Sequence, residues 1–126
     1  MPLRNKSQEM ARFALKAINQ FRENLTEFKQ YATEFKQYAK RLPSMILRNG
    51  LILTLAFYKS KCGTRQRIYK ILCEWFKGKT GKDDLLEGLL NKDALTYRQV
   101  SKEALALATW LQRIADAEIE EAESGE

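Results

Sequence analysis

The 126-residue sequence contains no histidine, two cysteines, two prolines and six glycines. Each scarcity excludes something. Without histidine the usual general base of a nucleophilic site is missing, and a zinc site would need both thiolates plus carboxylates, an uncommon ligand set. Cys62 and Cys73 form no metal-ligand or redox motif and are expected to be reduced, intracellular thiols. The carboxylates gather at 83–84, where Asp favours a helix start, and on the tail 116–126, so no cleft of converging acids is indicated. No catalytic residue, no metal, no cofactor and no small-molecule substrate is therefore expected. No apolar run reaches the about 18 residues that span a bilayer. The stretch MPLRNKSQEMARFALKAINQ lacks the apolar core of a signal peptide. A cytoplasmic protein with no membrane partner is expected.

Acidic residues are scarce in the first two thirds. Residues 1–82 carry 18 Lys/Arg against 5 Asp/Glu, whereas 83–126 carry 4 against 11. A basic body joined to an acidic tail suggests a nucleic-acid contact, self-association, or both.

With few breakers, the apolar spacing of three and four dominates, and almost nothing reads as strand. Ala14, Ile18, Phe21, Leu25, Phe28, Ala32, Phe35, Ala39, Leu42 and Ile46 follow it without a slip. Within this run TEFKQYA occurs at 26–32 and again at 33–39. A seven-residue repeat presents the same helix face twice. As one helix the run would be about 50 Å long, so a break at Asn24 is expected, giving helices at 4–23 and 25–48, collinear or not. Pro43 should kink the second, and Gly50 should stop it in the left-handed conformation.

The stretch 51–58 is apolar except for Thr54, which predicts a helix (51–61) buried on all sides with the others around it. Thr64 is the expected cap of a helix 65–77, with Ile68, Ile71, Leu72, Trp75 and Phe76 inward and Gly78 and Gly81 breaking the chain beyond it. Asp84 with Glu87 and Thr96 with Gln99 read as capping boxes for helices 84–91 and 97–121. Leu85, Leu86, Leu89 and Leu90 should face in. Trp75 and Trp110 read as core anchors, while any of Tyr31, Tyr38 and Tyr58 could be half-exposed. The expected fold is all-α: one domain, 1–126, a bundle of five or six helices around a central apolar helix. The acidic end, 120–126, should fray because its carboxylates oppose the helix dipole.

The LP…NGL…TLAF block (Leu42, Pro43, Ile46, Asn49, Gly50, Leu51, Thr54, Leu55, Ala56, Phe57) precedes Tyr97, Arg98, Ser101 and an EAL…WLxR block. The latter holds Glu103, Ala104, Leu105, Trp110, Leu111, Arg113 and Ala115. Through these residues the chain resembles the small all-helical subunit, the fifth subunit family, of the type III-B CRISPR Cmr RNA-targeting complex. The resemblance covers essentially the whole chain apart from the duplicated heptad. It implies a non-catalytic scaffold whose copies stack into a short filament beside the backbone subunits. One end would meet the large polymerase-like subunit, and guide RNA and target RNA would be the nucleic-acid partners.

Lys and Arg rather than base-reading groups suit a strand already paired to a guide. The candidate RNA contacts are Lys40, Arg41, Arg48, Lys59, Lys61, Arg65, Arg67 and Lys70, expected to form one phosphate-facing strip around the ends of helix 51–61. Charge reversal at Lys59, Lys61 and Arg67 is expected to weaken RNA binding and leave the fold intact. The alternative is a helical protein–protein adaptor in which the heptad face of 14–46 pairs with a partner and the positive charge is incidental. A helix-turn-helix DNA binder is disfavoured because 51–61 is too apolar to cross a phosphate backbone.

Overall fold

The computed structural model describes residues 5–60 and 63–119. The expectation that 120–126 frays lies outside them. Asn5 opens α1 (Lys6–Glu23) with a reciprocal capping box: its side chain accepts from Gln8 N at 2.8 Å, and Gln8 Oε1 accepts from Asn5 N at 3.4 Å. Asn24 ends α1 and begins α2 (Leu25–Asn49), its Oδ1 accepting from Glu27 N at 3.0 Å. The break at Asn24 is as expected, but the two helices are not collinear. Phe21 of α1 stacks on Phe35 at 4.5 Å and meets Phe28 edge-on at 5.5 Å. In one straight helix Phe21 and Phe35 would lie about 21 Å apart. Extended backbone at Asn24 folds α1 back, because that is how both apolar stripes find cover.

α2 passes through Pro43 and ends at Gly50, whose φ of 84° and ψ of 161° lie outside the left-handed helical region but in one nearly reserved for glycine. α3 (Leu51–Lys59) then starts with no side-chain cap from its own N-terminus. Its first two N–H groups, Leu51 and Ile52, donate instead to Tyr97 Oη at 3.1 and 3.3 Å. α4 (Thr64–Thr80) follows Gly63. Thr64 does not cap it; its buried hydroxyl donates to Glu34 Oε1 at 2.7 Å. Gly78 lies inside α4 rather than breaking it, and Gly81, at φ 77° and ψ 5°, makes the left-handed stop.

α5 (Leu85–Leu90) is tucked close to the end of α4. A Cβ on Gly88 would come within 2.9 Å of the Thr80 side chain. Asp84 makes no side-chain cap, so the expected box with Glu87 does not form, and Leu90 faces solvent. α6 (Ala94–Glu118) begins three residues earlier than the expected Thr96 box, because Asp93 accepts from Thr96 N at 2.8 Å. A carboxylate is the better acceptor of the two candidate caps.

The six helices form one all-α domain with no strand among the described residues. α6 packs most extensively on α2 and α1, so the centre of the bundle is there. α3 packs chiefly on α2, α4 and α5, with Tyr97 of α6 reaching its first turn, and buries one side only: Leu51, Thr54, Leu55 and Tyr58. Leu53 is 66% exposed and Phe57 39% exposed. The expectation of a rod buried all round is therefore corrected: its neighbours all lie on one side, and the face of Leu53 and Phe57 is left uncovered. Trp75 and Trp110 pack against the core without being fully buried.

Candidate functional site

Tyr38 of α2 is the point around which cations collect. The Arg41 guanidinium carbon, one turn on, lies 5.7 Å from the Tyr38 ring centroid, and that of Arg65 from α4 lies 5.0 Å from it. Arg65 also lies 4.4 Å from the ring of Phe57 on α3. Stacking on an aromatic face holds a guanidinium flat and leaves its edge donors available. The ring is fixed from beneath: Tyr58 is fully buried, donates its hydroxyl to Tyr38 O at 2.7 Å and meets the Tyr38 ring edge-on at 6.2 Å. Burial is the main cause that lifts the Tyr58 phenol far above its ordinary value, so it remains a neutral donor. Of the three tyrosines, Tyr31 and Tyr38 are half-buried and Tyr58 is not exposed at all.

The other candidates go elsewhere. Arg65 and Arg67 leave α4 about 200° apart. Arg67 turns to Glu27, with which it forms an ion pair, and lies over the Phe21 ring at 5.2 Å. The hydrogen bond from Arg67 holds the Glu27 carboxyl below the usual range. Lys70 is exposed and lines the same groove as Arg67. Lys59 forms an ion pair with Asp84 at the start of α5, and that hydrogen bond raises its ammonium above the ordinary lysine value.

Lys40 is exposed beside Arg41, and Arg48 is exposed in the last turn of α2. Lys61 lies outside the described residues. The contacts thus join Arg41 to Arg65, and Arg67 to Lys70, but they do not join all the cations into one strip. Among the described residues, Lys40, Arg41, Arg48, Arg65 and Lys70 have no ion-pair partner.

Sequence reasoning named the two arginines but missed Phe57, placing it inside the core. The clue lay in Leu53 and Phe57 being one turn apart, hence on the same face. Among the described residues, no group of three or more His, Cys, Asp or Glu could hold a metal ion. Burial raises the Cys73 thiol above its ordinary value, and the sulfur accepts from Leu85 N at 3.4 Å, so this side chain serves packing. No described helix is long and apolar enough to cross a membrane. The arrangement around Tyr38 offers oriented donors and aromatic edges to an anion.

Comparison with known proteins is specific. The profile of the family described as CRISPR-associated protein (Cas_Cmr5) matches residues 6–118. The CRISPR system Cmr subunit Cmr5 of Thermotoga maritima is 27% identical over 119 residues, covering 92% of this chain and 86% of that protein. The crystal structure of a CRISPR-associated Cmr5 family protein from Thermus thermophilus superposes with a TM-score of 0.79 at 26% identity, covering 93% of this chain and all of that one. The chain described here belongs to the Cmr5 family of CRISPR-associated proteins.

Proposed function

We propose that this chain is a non-catalytic structural subunit of a type III-B Cmr effector, acting in antiviral defence. In that role it stacks with further copies of itself beside the backbone subunits and the large subunit, and it touches the backbone of target RNA or of the guide–target duplex. Family membership supports the assembly. The observation that carries the RNA contact is the Tyr38 cluster: Arg41 and Arg65 lie on one ring, with no carboxylate paired to either among the described residues. Lys40 extends it along α2. Lys59 and Arg67 enter only by exchanging Asp84 and Glu27 for phosphate.

Contacts of this kind are sequence-indifferent and salt-dependent. Fluorescence anisotropy of the chain with a single-stranded RNA across a salt series tests the reading. The Arg41→Glu, Arg65→Glu double variant should weaken binding and make the slope of log K against log salt shallower by about 1.4, two phosphate contacts on a single strand. An unchanged affinity and slope would remove the Tyr38 cluster from the interface.

The heptad face of 14–46 is taken up inside the bundle and cannot pair with a partner, so a protein-adaptor reading rests instead on the exposed Leu47, Leu53, Leu90 and Leu95. Assembly that survives nuclease and high salt, with no RNA cross-link mapped to this chain, would select it.

A further inference from the structure

A groove of about 690 Å3 opens between α1, the start of α2 and α4. It is a different place from the Tyr38 cluster. Of the seven candidate cations among the described residues, only Arg67 and Lys70 line it. Its volume falls in the range of small-molecule sites, about 300–1,000 Å3.

Three kinds of group line it. Phe13, Tyr31 and Ile71 supply apolar wall, each half-buried rather than sealed in the core. Phe13 is braced edge-on against Trp75 at 5.2 Å. Lys16 and Lys70 supply charge; both are exposed and neither has an ion-pair partner among the described residues. Gln20 and Gln66 supply amides.

The carboxylates must be weighed against these cations. Glu27 is taken by Arg67, so that pair roughly cancels. Glu74, one turn beyond Lys70, is exposed at the rim, which leaves the groove with a surplus of one positive charge. Aromatic and aliphatic walls suit a flat heterocycle, amides can meet its polar edge, and the lysines can meet a phosphate. No purely apolar occupant would use the lysines and glutamines, and no inorganic anion would use the walls.

We propose that this groove binds one nucleotide, with the base against Tyr31 and Phe13 and its phosphate toward Lys16 and Lys70. The same chemistry is offered by a free nucleoside monophosphate and by an unpaired nucleotide within an RNA strand, and the test separates them. The full chain, labelled with 15N, is titrated with AMP, UMP, adenosine, and octamers of A or U. Amides of Lys16, Tyr31 and Ile71 should shift saturably, more tightly with AMP than with adenosine. Lys16→Glu, an exposed change, should weaken binding about fivefold by removing a cation from the phosphate. Tyr31→Leu should weaken it about tenfold by removing the stacking ring. Lys92→Glu, an exposed change outside the groove, should leave AMP binding unchanged, and thermal melts of each variant should match the parent.

Groove shifts with the octamers alone place the nucleotide in a strand; shifts with AMP alone make it a free nucleotide; either supports the site. Silence of the groove to every probe at millimolar concentration, or binding unaffected by both groove variants, would overturn it. If the octamers bind through Arg41 and Arg65 with the groove silent, the groove falls and the RNA interface stands. If the groove responds while Arg41→Glu, Arg65→Glu changes nothing, the reverse holds.

Discussion

Asp84 stands where an N-cap belongs, yet its carboxylate bonds none of the free N–H groups of α5. It accepts from Lys59 and from the Tyr69 hydroxyl, and Tyr69 Oη in turn accepts from Leu86 N at 3.0 Å. Burial works to raise this carboxyl, but the hydrogen bonds from Lys59 and Tyr69 outweigh it and leave it below the ordinary aspartate value. A depressed folded-state pKa means that the ionised carboxylate stabilises the fold above its unfolded value, about 4, and that this contribution is lost as pH falls through the folded value. Asp84→Asn should therefore lower the unfolding free energy by about 1 kcal/mol at neutral pH, a modest figure because Lys59 is solvated. In urea titrations the gap between variant and parent should close as the solution is acidified below the ordinary aspartate range. A gap constant with pH would remove the charge from the explanation. The spacing of Asp84 and Glu87 did mark a helix start. It could not show that a lysine 25 residues earlier would claim the carboxylate. Caps are legible when the acceptor has only local donors, as at Asn24, and illegible when tertiary donors compete.

At the scale of elements, the duplicated heptad gains a meaning that the sequence left open. The two glutamates of the repeat, Glu27 and Glu34, bond Arg67 and Thr64 of α4, so α2 and α4 run in opposite senses, with the long Arg67 side chain spanning the difference between seven residues on α2 and three on α4. The two phenylalanines, Phe28 and Phe35, both pack on Phe21. The two tyrosines part ways: Tyr31 lines the groove and Tyr38 carries Arg41 and Arg65. Periodicity thus predicted the helix and its inward face except at Leu25, which the turn at Asn24 leaves exposed, since a whole heptad keeps that face forward. It could not tell a tolerated insertion from a working one, because that depends on what α4 places opposite. Deleting 33–39 preserves the face but moves the rest of α2 by about 10 Å along its axis. Because the copies are identical, the product equals a deletion of 26–32, and the one remaining Glu and Phe can serve only one set of partners: either the buried Phe35 and the Glu34–Thr64 bond, or Phe28 and the Glu27–Arg67 pair, is lost. The deletion should cost at least about 3 kcal/mol in chemical denaturation. Equal stability would return the repeat to a tolerated insertion.

Over the whole molecule, the division into a basic body and an acidic end is partly settled inside the chain. On α6, Glu103 pairs with Lys6 and Lys79, Asp116 with Lys36, and Glu118 with Arg22. Opposite charge in sequence is therefore a weaker argument for head-to-tail stacking than it first looks, since these acids already face the cations of α1, α2 and α4. The same pairing sorts the candidate RNA contacts. The expectation that reversing Lys59 and Arg67 spares the fold does not suit a molecule in which both hold a carboxylate. A Glu at either position would face Asp84 or Glu27 and repel it. Lys40 and Arg48 are exposed and pair with nothing among the described residues. Two double variants measured together separate the cases. Lys40→Glu, Arg48→Glu should weaken single-stranded RNA binding about tenfold at low salt, since two cations no longer meet phosphates, with an unchanged melting midpoint. Lys59→Glu, Arg67→Glu should lower the melting midpoint whether or not RNA binding changes. If the second pair instead lost RNA affinity at unaltered stability, Lys59 and Arg67 would be working phosphate contacts and their carboxylates would be incidental neighbours.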